Sequence, residues 1–110
     1  MSGIVVTAII TPKDGQPVDK IEELLAGHAA WVLENEPGTL RYRLHKSLGK
    51  GKAVFTMIET YKDKAALDAH AQSPKFKEMG AQLGSMVDMT ILPSQPVAGF
   101  EDRAERGAKI

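Results

Sequence analysis

Two stretches constrain the fold of this chain more than any others: residues 4–11 (IVVTAIIT) and residues 53–61 (AVFTMIETY). Both are rich in β-branched and aromatic side chains and are apolar at odd and even positions alike. Each therefore reads as a strand that buries both of its faces. The first stops at Pro12, which has no N–H to give to a ladder. Strands of this kind need cover on both sides of their sheet, and something must supply it.

The rest of the chain supplies cover for one side. After Lys13-Asp14-Gly15, a turn signal, Pro17 suits a first helical position. From there Val18, Ile21, Leu24, Leu25, His28, Trp31 and Val32 recur at spacings of three and four, the stripe of an amphipathic helix. It ends at Asn35-Glu36-Pro37-Gly38, because Pro37 disfavours helical geometry at Glu36. Residues 39–47 alternate, with Leu40, Tyr42 and Leu44 on one face and Arg41, Arg43 and His45 on the other. A hairpin loop at residues 48–51 leads into the second apolar strand.

Asp63 caps a second helix that contains Ala66, Leu67 and His70. Ser73-Pro74 is a fresh cap followed by a proline, so the helix breaks and restarts. Phe76, Met79, Leu83 and Met86 form the stripe of the restarted piece. Residues 89–92 read as a last strand that continues into a proline-kinked edge towards Val97. The domain spans residues 1–98, and residues 99–110 form a charged tail or dimer arm.

The order is βαββαβ, a ferredoxin-like α+β arrangement with an antiparallel four-stranded sheet. Helices cover only one face of such a sheet, yet two of its strands are apolar on both faces. The expectation is a homodimer formed by sheet-to-sheet packing.

Composition narrows the chemistry. The 110 residues carry 14 basic and 14 acidic side chains and no cysteine. Disulfides, thiolate ligands and thiol nucleophiles are excluded. Balanced charge argues against a nucleic-acid partner or a polybasic membrane anchor. No apolar run approaches the ~20 residues that span a bilayer. The first residues lack a basic n-region and a cleavage pattern, so a cytoplasmic location is expected. His28, His45 and His70 stand 17 and 25 residues apart, which is no local metal motif, and neither a metal nor another cofactor is expected.

Three motifs in register resemble one known family. Glu36-Pro37-Gly38-Thr39-Leu40-Arg41-Tyr42 is similar to the EPG-x-L-x-Y start of the second strand in antibiotic biosynthesis monooxygenase domains. Glu59-Thr60-Tyr61 is similar to the Glu-x-aromatic end of their third strand. Residues 66–76 (ALDAHAQSPKF) resemble their AL-x-x-H-x-x-S-P-x-F signature. The resemblance implies a dimeric α+β barrel with a cavity between sheet and helices in each subunit. Members oxidise quinols or anthrone-type polyketides without metal or flavin, and others act on haem, signalling molecules or sugars. The haem-degrading branch has a strand-1 Asn, a Trp at the position of His70 and a ligating His about ten residues later. This chain has no Asn in strand 1 and has Gly80 at the later position.

An enzyme of this type needs a base, an oxyanion partner, ring-positioning walls and exclusion of water. His70, at the end of its helix, is a candidate base, because imidazole accepts a proton near neutral pH. It would equally serve by capping the helix C-terminus. His28, a polar residue in an apolar stripe, is the second candidate, unless a backbone carbonyl satisfies it as a core histidine. Trp31, Tyr42, Phe55, Met57, Tyr61 and Phe76 are candidate substrate contacts, each also suited to an ordinary core. Glu59, set among apolar residues, is expected to pair with Arg41 or Arg43 at an interface.

The functional expectation is a cofactor-independent monooxygenase-like enzyme that oxidises a small aromatic quinol, anthrone or polyketide-type substrate with O2. An oxygen-independent cyclase, isomerase or lyase on the same scaffold, or a non-catalytic ligand-binding dimer, would use the same residues differently.

Overall fold

In a computed structural model, residues 3–103 are described. β1 (Ile4–Pro12), α1 (Val18–Asn35), β2 (Thr39–Lys46), β3 (Phe55–Tyr61), α2 (Lys64–Gln72), α3 (Pro74–Leu83) and β4 (Val87–Ser94) follow one another along the chain. The four strands form one antiparallel sheet in the order β2-β3-β1-β4. This is the expected ferredoxin-like layout, with the second helix divided in two. No helix among the described residues is long and apolar enough to cross a membrane.

Local chemistry explains most boundaries. Gly15 takes a positive φ of 80° in the turn after β1, and Gln16 N–H closes that turn on the Lys13 carbonyl. Pro17 caps α1 instead of entering it; either position dispenses with a proline N–H. The Asp63 side chain accepts from Ala66 N–H at 2.9 Å and starts α2. One residue, Ser73, ends α2 and begins α3, its hydroxyl accepting from Phe76 N–H at 3.0 Å. Sharing a cap sets the break between the two helices at one residue.

The sheet register sorts side chains between its two faces. Val6, Ala8 and Ile10 of β1 and Phe55, Met57, Glu59 and Tyr61 of β3 are buried beneath the helices. Ile21, Leu25, Met79 and Leu83 close over them from α1 and α3. α1 packs on β2 and α3, and α2 lies against β2 and β3. The β4 half of the inner face has less cover, and Ile91 there is 53% exposed. On the open face, Ile9 and Leu92 reach solvent.

Three expectations are corrected. Leu40 does not share a face with Tyr42 and Leu44. A bulge between Thr39 and Arg41 breaks the β2 register, so Leu40 is left 63% exposed while Tyr42 and Leu44 pack against the core. The alternation rule fails wherever an extra residue is inserted into a strand. The last strand also begins earlier than expected, at Val87, and ends at Ser94. Its register extends from Val87 opposite Pro12 to Ser94 opposite Val5. Finally, β3 begins at Phe55 and leaves Ala53 and Val54 outside it. Of the tail, residues 104–110 lie outside the described residues.

Gly38, in the turn before β2, lies tight against α2. A Cβ built there would stand 2.6 Å from the Ala66 Cβ of α2, well inside contact distance, and the Gly38 carbonyl accepts from Lys62 N–H at 2.9 Å. Gly38→Ala is expected to destabilise the fold by about 1–3 kcal/mol through overpacking. Adding Ala66→Gly should recover much of that loss. Urea unfolding of the single and double variants checks this, and equal stability of wild type and Gly38→Ala would refute it.

Candidate active site

A cavity of about 270 Å³ lies between the inner face of the sheet and the α2–α3 pair. Its walls come from every layer. β1 contributes Val6, Ala8 and Ile10, β3 contributes Met57, and β4 contributes Met89, Ile91 and Pro93. Leu67 and Ala71 of α2 face Phe76 and Met79 of α3 across the helix break. The polar lining is confined to Tyr42, Glu59 and His70.

His70 occupies the last turn of α2 and is 3% exposed. Its Nδ1 lies 2.7 Å from Glu36 Oε1, at the C-terminal end of α1. The same carboxylate oxygen accepts from the Thr39 hydroxyl at 2.9 Å. An oxygen that accepts there puts a proton on Nδ1, so that in the neutral ring the lone pair falls on Nε2. Nε2 is buried and has no hydrogen-bond partner among the described residues, and the same holds for Glu36 Oε2. Aromatic rings enclose the imidazole, with centroids of Phe76 at 4.9 Å and of Tyr42 and Tyr61 at 5.3 Å.

Glu59 lies one strand away from Tyr42, directly opposite it in the ladder. The Tyr61 hydroxyl donates to Glu59 Oε1 at 2.5 Å. This overturns the expectation of an arginine partner: β3 has a period of two, and Glu59 points inward with Met57 and Tyr61. Arg41 instead reaches Glu101 at 3.6 Å. Burial pushes the Glu59 carboxyl up to about 7, against the stabilising effect of the Tyr61 hydrogen bond and with a smaller push from Glu36. Burial also raises both tyrosines, Tyr42 and Tyr61, above the ordinary phenol range.

His28 lies behind this wall. Its ring stacks on Trp31, with centroids 6.1 Å apart and planes 12° apart, and touches His70 edge-on at 5.7 Å. It is 2% exposed, and neither ring nitrogen has a partner among the described residues. Burial lowers its pKa to about 4, helped by the charges of His70 and Lys75 and opposed by Glu36.

The expected site residues therefore separate into groups. His70, Tyr42, Met57 and Phe76 line the cavity. Tyr61 supports it from beneath through Glu59 and His70. His28 and Trp31 form an outer layer on α1, and Phe55 is fully buried core. Two acids were not singled out for these roles. Glu36 stands in a motif that signals a helix end, and its partner is 34 residues away. The place of Glu59 was legible from strand alternation, since Glu59 and Tyr61 share a face. Among the described residues, no group of three or more His, Asp or Glu side chains is placed to hold a metal ion.

The chain matches the family model for antibiotic biosynthesis monooxygenase over residues 3–82. It belongs to the antibiotic biosynthesis monooxygenase family. Its fold is also similar to solved structures that it covers almost end to end. A Pseudomonas aeruginosa protein is 25% identical with a TM-score of 0.78, the alignment covering 89% of this chain and 97% of that one. A Mycobacterium tuberculosis protein is 24% identical with a TM-score of 0.78, covering 91% and 100%. SnoaB from Streptomyces nogalater, a cofactor-independent oxygenase, is 15% identical with a TM-score of 0.77, covering 93% and 100%. No curated protein sequence matches the chain significantly.

Two of the shifted groups, Glu59 and His28, affect stability in opposite directions with pH. The Glu59 pKa rises on folding from 4.5 to about 7, so its neutral form is favoured in the folded protein. Its contribution is complete below pH 4.5 and is lost as pH rises through about 7, on the order of 3 kcal/mol in all. The His28 pKa falls from 6.5 to about 4, so its contribution is complete above pH 6.5 and is lost as pH falls towards 4. Thermal melts from pH 4 to 8 should show Glu59→Gln gaining on wild type as pH rises. His28→Phe should gain on wild type as pH falls. Parallel curves for wild type and either variant would contradict the corresponding assignment.

Proposed function

We propose that this protein is a cofactor-independent oxygenase acting on a small, flat aromatic substrate of the quinol, anthrone or polyketide type. The observation that carries this reading is the cavity: apolar on nearly every side, with a histidine oriented by a carboxylate and with the buried carboxyl of Glu59, whose pKa burial pushes up to about 7. Its volume of about 270 Å³ is near the lower limit of small-molecule sites, roughly 300–1,000 Å³. Family membership supports the reaction class.

The chemistry asked of the residues is modest. Met57, Phe76 and Met79 hold the rings and exclude water. His70 Nε2 takes the proton from an activated C–H or phenolic O–H of the substrate. Glu36 keeps the proton on Nδ1 and stabilises the imidazolium that results. Protonated Glu59 donates to the substrate oxygen on which negative charge collects. The electron-rich anion then passes one electron to O2, and superoxide couples with the carbon radical to give a hydroperoxide. Loss of water completes the reaction. For an anthrone-type methylene the balance is CH2 + O2 → C=O + H2O.

The open face of the sheet supports assembly as a homodimer by sheet-to-sheet packing. Ile9 and Leu92 (62% exposed) lie there, and a second copy would bury them. Sedimentation of the wild type is expected to give a dimer, and Leu92→Lys should shift it towards monomer. A monomeric wild type would overturn the assembly proposal.

Oxygen uptake with a panel of quinols, anthrones and catechols tests the activity. Saturable uptake is expected, with His70→Ala reducing the rate by about 10²–10⁴-fold. Glu36→Gln should reduce kcat more than it changes KM, because it weakens the hold on one tautomer. Substrate turnover that persists without O2 would replace this reading with oxygen-independent chemistry. Binding without any chemical change would make the protein a ligand carrier.

A further inference from the structure

Tyr42 of β2 and Glu59 of β3 stand directly opposite each other in the ladder. Opposed residues of an antiparallel pair point to the same side, with Cβ atoms about 4.5–5.5 Å apart. Both line the cavity, so two polar groups from neighbouring strands enter an otherwise apolar space side by side. On the other flank of Glu59 the ladder offers Val6 and then Pro93, whose side chains neither donate nor accept.

The hydrogen bonding of Glu59 is one-sided. Its Oε1 accepts from the Tyr61 hydroxyl, and Tyr61 is fully buried, out of reach of bulk solvent. A neutral carboxyl whose one oxygen accepts carries its proton on the other, here Oε2. Oε2 and the Tyr42 hydroxyl are not among the buried, unpartnered atoms of the described residues. Tyr42 feels the charge of Glu59 yet shares no hydrogen bond with it. Each group therefore keeps its donor for whatever enters the cavity.

We infer that Tyr42 and Glu59 form a two-donor seat for the carbonyl oxygen of an aromatic ketone, with Tyr61 as the positioning residue that turns the Glu59 proton towards the cavity. The inference rests on the reading of this cavity as the substrate site, and it narrows the substrate class to ketones of the anthrone type over quinols. A carbonyl oxygen has two lone pairs and takes two donors, whereas a quinol hydroxyl brings a donor of its own. The same pair holds the negative charge that collects on this oxygen once the conjugated methylene gives its proton to the base.

The surroundings decide when the seat is complete. Burial raises the Glu59 pKa to about 7 against the pull of the Tyr61 hydrogen bond, with a further push from Glu36 at the end of α1. A carboxylic acid kept neutral in this way donates a hydrogen bond where an ordinary carboxylate only accepts. The other titratable groups facing the pair are His70 of α2, in the same cavity, and His28 of α1. The His28 ring meets Tyr42 at 5.9 Å and has a pKa near 4. From α3 the cavity receives Phe76 and Met79, which do not titrate. Below about pH 7 the seat has both donors; above it, Glu59 turns a negative charge on the ligand oxygen.

The test compares binding of 9-fluorenone, a flat aromatic ketone, with that of fluorene, which has CH2 in place of C=O. At pH 6 the wild type is expected to bind fluorenone about tenfold or more tighter than fluorene and to lower its carbonyl stretching frequency in the infrared. Fluorenone affinity should fall about tenfold between pH 6 and 8, while that of fluorene stays level. Tyr42→Phe should weaken fluorenone binding about three- to tenfold and reverse part of the infrared shift. Unchanged fluorene binding would show that its cavity is intact. Glu59→Gln keeps a donor on the cavity side and cannot ionise, so it should bind fluorenone equally well at both pH values. Tyr61→Phe removes a bond that favours the carboxylate, and the midpoint of the pH dependence should move up by roughly one unit. A role for Tyr61 in packing alone would leave the midpoint in place.

Equal affinities of wild type for the two probes at pH 6 would overturn the seat. A pH dependence that survives in Glu59→Gln would belong to His70 and would overturn the part given to Glu59. Failure of both probes to bind would overturn the inference together with the reading of the cavity as substrate site. Neither measurement involves O2: discrimination between the probes without oxygen uptake on anthrones would keep the seat and remove the oxygenase, and uptake without discrimination would do the reverse.

Discussion

The hydrogen bond between Glu36 and His70 is the contact on which the site depends. It spans 2.7 Å between residues 34 apart in sequence, one at the end of α1 and the other in the last turn of α2. Few groups are available to satisfy a carboxylate and an imidazole buried side by side, so each restricts the position of the other. Thr39, two residues after Pro37, adds its hydroxyl to the same oxygen. The bond thereby ties the end of one helix, the start of β2 and the end of a second helix together. It also determines which nitrogen of His70 is left to act.

Around this pair the polar atoms are few and unevenly distributed. Tyr42, Glu59 and His70 face the cavity, and His28 faces the other way. Two carboxyl groups therefore sit in similar burial with different partners. Glu36 has two donors. Glu59 has one, the Tyr61 hydroxyl, and burial outweighs it. The difference arises from geometry and not from residue type, since both are glutamates at the rim of the same aromatic cluster.

What could be read from the sequence was what short-range physics decides. The order of elements, the Asp63 and Ser73 caps, the break before Pro74 and the inward set of Met57 and Phe76 follow from propensity, capping and periodicity within a few residues. The family motifs extended that reading to the cavity between sheet and helices. What escaped depends on register and on distant partners. The exposed position of Leu40 results from one inserted residue in β2, which composition does not mark. The Glu36–His70 pair joins positions in two motifs that each have a sufficient local explanation, a helix end and a helix stripe. The partner of Glu59 was two residues away, but nearby arginines offered the more familiar pairing.

β4 is an edge strand with little over it, and its alternation divides it cleanly. Met89, Ile91 and Pro93 border the cavity, whereas Asp88, Thr90 and Leu92 lie on the opposite surface. None of these six is part of the buried core cluster. Neighbouring codons in one short strand thus write to different surfaces, with little penalty in folding for either. Changes in the shape of the cavity mouth and in the outer sheet surface can accumulate independently there. Such a strand is a natural place for divergence to begin.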